Sequence, residues 1–154
     1  MTETCSIEIE GRIPRDLGLT KARLKTAAAL FAAKSSARIG VPFRAVTVIL
    51  QDDAFSAETH AAINGADGPT DVTTQAYEAM PPEPPGVYGE LYVNVDQARR
   101  AVPRRKGWSP ARELLLYVAH GMDHLSGADD LEPDDYERMR RRELGWLKET
   151  DTLP

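Results

Sequence analysis

Four segments of the chain have the apolar–polar alternation or the β-branched composition that predicts strands. In three of them, alternate apolar residues fall on one face. The segments are CSIEIEG at 5–11, with Cys5, Ile7 and Ile9 on one face; FRAVTVILQ at 43–51, with Val46, Val48 and Leu50; DVTTQAY at 71–77; and GELYVNV at 89–95, with Leu91, Val93 and Val95 facing inward. The stretch PPEPPG at 81–86 is predicted to be a loop joining two strands, because proline fixes φ and donates no backbone hydrogen bond.

Four other segments have the apolar spacing or the boundary residues of helices. They are 20–38, with Thr20 as N-cap and Gly40 as its end; a short helix through SAETHAAI that ends at Asn64-Gly65; a helix that starts at Ser109-Pro110, runs to about Leu125 and stops near Gly127; and a final helix from Pro133 to about Lys148. Because strands and helices are interspersed, the sequence predicts an α+β fold, in which a small mixed sheet of about four strands packs against helices. Residues 1–154 suit a single domain.

Composition narrows the class of protein. The chain is 42% hydrophobic and 28% charged, contains no apolar run long enough for a membrane helix, and begins without a recognisable secretory signal. With a single cysteine, Cys5, no intramolecular disulfide can form, and we expect a cytoplasmic protein with no membrane partner.

Charge is unevenly distributed along the chain. The net charge of −5 argues against a protein that coats nucleic acid through bulk charge. Two clusters are nevertheless basic: residues 99–106, with Arg99, Arg100, Arg104, Arg105 and Lys106, and residues 138–142, with Arg138, Arg140, Arg141 and Arg142. Each cluster is either a solvated face or a local patch that contacts phosphate groups.

Two of the three histidines, His120 and His124, lie four residues apart on the helix predicted from Ser109. They share a stripe with Glu113 and Tyr117, opposite an apolar stripe, so we expect them to face away from the core. Such spacing lets two imidazoles bind one metal ion, although it also occurs between ordinary surface histidines. Asp123 lies off this stripe and is expected on the exposed helix surface.

A third ligand is available just downstream. Gly127 ends the helix and lets the chain turn back, so the carboxylate of Asp129 or Asp130 could reach the same ion. Two histidines and one carboxylate leave a fourth position for water, the arrangement of catalytic zinc. The site is not of the HExxH metalloprotease type, because Gly121 follows the first histidine.

The segment HGMDHLSGADD at 120–130 resembles the H-G-x-x-H-L-x-G-x-D-H motif of the YbeY family, bacterial metal-dependent endoribonucleases of ribosomal RNA maturation. His120, Gly121, His124, Leu125, Gly127 and Asp129 stand where this pattern has them. Three further segments are similar to family segments in the same order: VILQDDAFSAETHAAIN at 48–64, GPTDVTTQAYE at 68–78 and GELYVNVDQA at 89–98. The resemblance covers residues 5 to 148.

The resemblance implies one zinc ion, or another divalent metal, at His120, His124 and Asp130, in a site on the C-terminal helix and the loop after it. It also implies ribosomal RNA and the small ribosomal subunit as partners. Aspartate replaces the third histidine of the family, which favours a more oxygen-loving metal.

A second departure from the family pattern concerns phosphate binding. Ala61 and Asn64 stand where family members have arginines. His60 lies in the same segment and is either a substitute for them or an ordinary residue of a short surface helix. Two hypotheses follow: an endoribonuclease, with the 99–106 stretch helping to place RNA, or a metal-stabilised ribosome-assembly factor that cuts no bond.

Overall fold

Strands and helices alternate along the chain in a computed structural model that describes residues 4–102 and 106–153. The elements are β1 (Ser6–Glu10), α1 (Lys21–Ile39), β2 (Phe43–Gln51), α2 (Asp53–Asn64), β3 (Val72–Tyr77), β4 (Val87–Asn94), α3 (Val95–Arg100), α4 (Pro110–Leu125) and α5 (Pro133–Glu149), with short 3₁₀ turns at Arg15–Leu17 and Thr150–Thr152. All four predicted strands and all four predicted helices are present, so the predicted α+β class is confirmed.

The four strands form one mixed sheet in the order β1-β2-β4-β3. Strands β1, β2 and β4 are parallel, and β3 runs antiparallel to β4. Val46 lies opposite Gly89 and Val48 opposite Leu91. Because side chains alternate along each strand, this register gathers the apolar residues on one face, and Val46, Val48 and Leu91 are almost completely buried there.

Helices α1 and α4 cover this apolar face. The Thr20 side chain caps α1 by accepting a hydrogen bond from the Arg23 backbone N–H, and Gly40 ends the helix in the left-handed conformation, as the sequence predicts. Leu24 and Phe31 of α1 are fully buried in the core beneath it.

Two glycines bring α4 close to the sheet. A Cβ added to Gly121 would lie 2.9 Å from the Leu91 side chain, and one added to Gly89 would lie 2.7 Å from Leu125. Each contact is shorter than real Cβ atoms show, so a larger residue at either position would force the neighbouring leucine side chain to move. Because Gly121 directly follows His120, this packing also determines where the histidines lie relative to the sheet.

The prediction for the end of β4 is wrong by one residue, and a short helix was missed. The strand ends at Asn94, whose side chain accepts hydrogen bonds from the backbone N–H groups of Asp96 and Gln97 and so caps α3. Val95, predicted to lie on the strand, is buried as the first residue of α3. Six residues are too few to show helical periodicity, which explains why α3 escaped prediction.

The prediction that the histidine stripe faces away from the core is also wrong. Helix α4 packs against the sheet, α1, α3 and α5, and Glu113, Tyr117 and His120 are all buried. The second face of α4 is covered by α3 and α5, so His120 is buried and His124 is partly buried. No helix within residues 4–102 and 106–153 is long and apolar enough to span a bilayer.

Candidate metal centre

The side chains of His120 and His124 converge near the C-terminal end of α4. Their Nε2 atoms are 3.0 Å apart, and the two rings meet edge to face with centroids separated by 4.4 Å. The sequence predicts this convergence, because residues four apart lie one above the other on a helix.

Each histidine is held through its other ring nitrogen. Nδ1 of His120 is 2.8 Å from Oε2 of Glu143, and Nδ1 of His124 is 3.0 Å from the carbonyl oxygen of Ala128. A carboxylate and a carbonyl oxygen only accept hydrogen bonds, so both Nδ1 atoms donate. In the neutral histidines this leaves both Nε2 lone pairs directed at the space between the rings.

Asp130 joins the two histidines, whereas Asp129 does not. Oδ2 of Asp130 lies 3.4 Å from Nε2 of His120 and 3.6 Å from Nε2 of His124. Asp129 is exposed, and its carboxylate accepts a hydrogen bond from the Leu131 backbone N–H. Within residues 4–102 and 106–153, the group of three or more metal-ligating side chains with converging donor atoms is His120, His124 and Asp130, with all donor atoms within 4.8 Å of one another.

The three donor atoms fit a divalent cation. Tetrahedral zinc, with bonds of about 2.0 to 2.1 Å, separates its ligand atoms by about 3.3 to 3.4 Å, close to the distances from Asp130 to the histidines. Two nitrogen lone pairs and a carboxylate oxygen would otherwise repel one another across this short gap. A cation held by His120, His124 and Asp130 would remove that repulsion.

Glu143 of α5 adds negative charge behind His120. Its carboxylate is fully buried, and its Oε1 has no hydrogen-bond partner among the described residues. Burial alone would lower the pKa of His120, but the hydrogen bond and the charge of Glu143 outweigh burial and raise that pKa. Glu143 therefore strengthens the attraction of the His120 ring for positive charge. Sequence analysis missed this residue, which lies 23 positions away from its partner.

Asp123 was predicted to be exposed, and this prediction is wrong. Its side chain is fully buried between two arginines: Arg142 of α5 donates to both carboxylate oxygens at 2.9 to 3.2 Å, and Arg38 of α1 lies 3.6 Å away. This bidentate pairing joins α4 to α5 directly behind the histidines. The residue therefore supports the arrangement of the helices that carry the centre.

An open cleft of about 450 Å³ lies beside the centre, along the histidine stripe of α4. Tyr117, one turn before His120, forms part of its wall. The described residues that line it are Pro69, Thr70, Asp71, Gln97, Ala101, Glu113, Tyr117 and Arg140. Burial and the neighbouring Glu113 carboxylate raise the pKa of Tyr117, so its hydroxyl remains protonated at neutral pH. The cleft therefore presents polar groups on the turns of α4 that precede His120.

The segment before Pro69 does not supply a cation to this cleft. His60 of α2 is hydrogen-bonded through Nδ1 to the carbonyl oxygen of Gly68, at 2.9 Å, and is not among the described residues that line the cleft. Its contact ties α2 to the loop before β3. This position gives no support to the idea that His60 substitutes for the arginines of the family.

The basic stretch at 99–106 is partly neutralised. Arg99 pairs with Asp16, and Arg100 pairs with Asp53, with N–O distances of 2.8 and 2.9 Å. Arg104 and Arg105 lie outside the described residues. The two arginines of α3 thus connect elements of the fold, and the expectation that the 99–106 stretch helps to place RNA stays a prediction.

Comparison with known proteins agrees with this arrangement. The family model described as Endoribonuclease YbeY matches residues 15–151. An Endoribonuclease YbeY of Rhodopirellula baltica is 38% identical over 131 residues, which are 84% of this chain and 65% of that protein. One from Thermus thermophilus is 36% identical over 104 residues, or 67% of this chain and 74% of that protein. The matched region thus spans about two thirds of the first relative.

A solved structure has a similar fold. The solution structure of TM1509 from Thermotoga maritima superposes with a TM-score of 0.55 and 25% sequence identity, covering 94% of this chain and 88% of that one. Together with the family match over residues 15–151 and the converging His120, His124 and Asp130, this shows that the chain belongs to the YbeY family.

Proposed function

We propose that the protein is a metal-dependent endoribonuclease of the cytoplasm that acts in ribosomal RNA processing and ribosome biogenesis. Its partners are ribosomal RNA and the small ribosomal subunit. The observation that supports this most directly is the convergence of His120, His124 and Asp130 on one point, on the helix whose preceding turn, at Tyr117, lines a polar cleft. The names of the relatives, Endoribonuclease YbeY, support the reaction class.

Zinc is the first candidate for the ion, because two imidazoles and a carboxylate form a known catalytic zinc ligand set. A divalent cation held there would supply Lewis-acid activation of water and of a phosphoryl oxygen. Asp130 adds a negative charge that a third imidazole would not, which reduces this Lewis acidity and increases tolerance for oxygen-preferring metals such as Mn²⁺.

The protein's own residues orient the site. Glu143 and the Ala128 carbonyl fix the two imidazole rings, so the ligands are in place before an ion or substrate arrives. Tyr117 and Gln97 both line the cleft, and the protonated Tyr117 hydroxyl donates a hydrogen bond to the Gln97 backbone carbonyl at 3.4 Å, which holds the phenol in the cleft wall.

The test combines elemental analysis of the purified protein with cleavage of ribosomal RNA, with and without a chelator. We expect about one bound divalent ion per chain and cleavage that the chelator stops. The His124→Ala variant should lose both the ion and cleavage. Full metal content and full cleavage in this variant would overturn the proposal.

A matched pair of aspartates tests the ligand set. Asp130→Asn should lower metal affinity, because its carboxylate lies 3.4 and 3.6 Å from the imidazole nitrogens. Asp129→Asn, one residue away and exposed, should leave metal affinity unchanged. The opposite result would assign the third ligand to Asp129.

The second candidate function is a metal-stabilised ribosome-assembly factor that cuts no bond. The absence of arginine at positions 61 and 64 favours it. In that case the protein would contain metal and bind the small subunit, and metal removal would lower its stability, while purified RNA stayed intact. Metal-containing protein that leaves RNA uncut would therefore select this function over the nuclease.

A further inference from the structure

We propose that Arg140 of α5 is the residue that binds a substrate phosphate group in the cleft beside the metal centre. This inference rests on the proposed function, in which a phosphodiester occupies the cleft. The sequence shows only a basic cluster at 138–142, whereas the structure points to Arg140 as the member of that cluster that binds phosphate.

The position of Arg140 is the first argument. It lines the cleft together with Tyr117 and Asp71, and its positive charge acts on both Tyr117 and His120. A phosphate group bound there would therefore lie along the stripe of α4 that continues to the metal ligands. Among the described residues that line the cleft, Arg140 is the one cation.

Its contacts leave its charge available. Arg138 and Arg142, its neighbours on α5, form ion pairs with Asp135 and Asp123. Within residues 4–102 and 106–153, Arg140 has no carboxylate partner at ion-pair distance and instead contacts Tyr136. The guanidinium lies 5.4 Å from the Tyr136 ring centroid, and Nη2 donates to the Tyr136 hydroxyl oxygen at 3.1 Å.

A tyrosine orients a guanidinium without neutralising it. The ring attracts the cation through its quadrupole, and the hydroxyl group accepts one hydrogen bond, so the remaining donors of the fork are free for an anion. Planar, oriented guanidinium groups suit bidentate binding of phosphate. Arg140 is also only partly exposed, which strengthens its attraction for an anion relative to a fully solvated arginine.

The acidity of the cleft is the second argument. Asp71 and Glu113 both line it, and each would repel a phosphate group. Residues 45–98, which supply the Pro69–Asp71 wall, contain no Lys or Arg at all. A cation from another part of the chain would offset these carboxylates and favour phosphate binding, and α5 supplies one in the cleft wall through Arg140.

The experiment compares Arg140→Ala with Arg141→Ala, a matched control one residue along the same helix with an exposed side chain. Binding of a fluorescein-labelled 15-nucleotide single-stranded RNA is followed by anisotropy between 50 and 300 mM salt. Both variants are made in a His124→Ala background, so that the RNA stays intact during the measurement. Cleavage is measured separately, with each variant in the otherwise unchanged protein.

For Arg140→Ala we expect binding at low salt to weaken about tenfold, and the slope of log K against log salt to fall in magnitude by about 0.7, the value for one lost phosphate contact with single-stranded nucleic acid. Arg140→Lys should retain the salt dependence of the parent but bind RNA more weakly, because lysine keeps the positive charge and loses the paired N–H donors of the guanidinium group. Arg141→Ala should match the parent protein in affinity.

The outcomes separate this inference from the proposed function. Equal affinity and equal salt slope for Arg140→Ala and its parent would overturn the role of Arg140, whether or not the protein cleaves RNA. Equal losses in Arg140→Ala and Arg141→Ala would also overturn it, since they would indicate diffuse charge. If the protein with His124 intact contains metal and leaves RNA uncut, while binding still depends on Arg140, the nuclease function fails and the phosphate site stands.

Discussion

Replacing Glu143 with glutamine tests whether the carboxylate that is hydrogen-bonded to His120 increases the metal affinity of the centre. Glu143 is fully buried, and its Oε2 accepts the hydrogen bond from Nδ1 of His120 at 2.8 Å. Glutamine has nearly the same shape, and its amide oxygen can still accept that hydrogen bond. The substitution therefore removes one negative charge while the His120 ring keeps its orientation.

The expected magnitude follows from the distance between the charge and the ion. An ion bound at Nε2 of His120 would lie about 7 Å from the Glu143 carboxylate, which for a divalent ion at an effective dielectric of about 20 gives about 5 kcal/mol as an upper bound. Substitutions of such outer carboxylates lower metal affinity by about 10- to 100-fold, or about 1.4 to 2.7 kcal/mol. We expect Glu143→Gln to fall in this range.

The assay is a zinc titration against a chromophoric chelator of known affinity. Glu137→Gln, an exposed carboxylate on the same helix, serves as the control and should bind zinc like the parent protein. Thermal melts followed by circular dichroism establish that both variants are folded. Zinc affinity of Glu143→Gln within twofold of the parent would refute the reasoning, because a buried charge beside a ligand would then have no effect on the ion.

Two further predictions concern stability. Asp123→Leu leaves Arg142 without its buried partner and should lower the free energy of unfolding, measured in urea, by about 3 kcal/mol. The double variant Asp123→Leu/Arg142→Leu should recover most of this loss. A double variant no more stable than Asp123→Leu would contradict the reasoning. Hydrogen bonds from Arg100 and Asn94 lower the pKa of Asp53 from 3.8 to about 2. The ionised Asp53 carboxylate therefore stabilises the fold fully above pH 4, and this stabilisation is lost as pH falls toward 2. The melting temperature of Asp53→Asn should lie below that of the parent protein at pH 6 and approach it by pH 2. A difference in melting temperature that stays constant across this range would exclude the effect.

Local sequence determined much of the fold. Capping residues such as Thr20 and Ser109 mark helix starts at the observed positions, because a cap acts through hydrogen bonds within one turn of its own helix. Alternation along β2 and β4 likewise reports which face of the sheet is buried. The spacing of His120 and His124 likewise predicts that their side chains converge, because residues four apart lie one helical turn apart on the same face.

Tertiary structure alone decided what surrounds those two histidines. Asp123 is buried because α5 places Arg142 against it, Glu143 supports His120 across 23 residues of chain, and Arg140 reaches the cleft although its neighbour Arg141 is exposed. Periodicity within α4 or α5 reports only which residues share a helix face. Which face meets another helix, a cleft or water depends on how α4 and α5 pack against each other, and that packing is determined by contacts between residues distant in sequence.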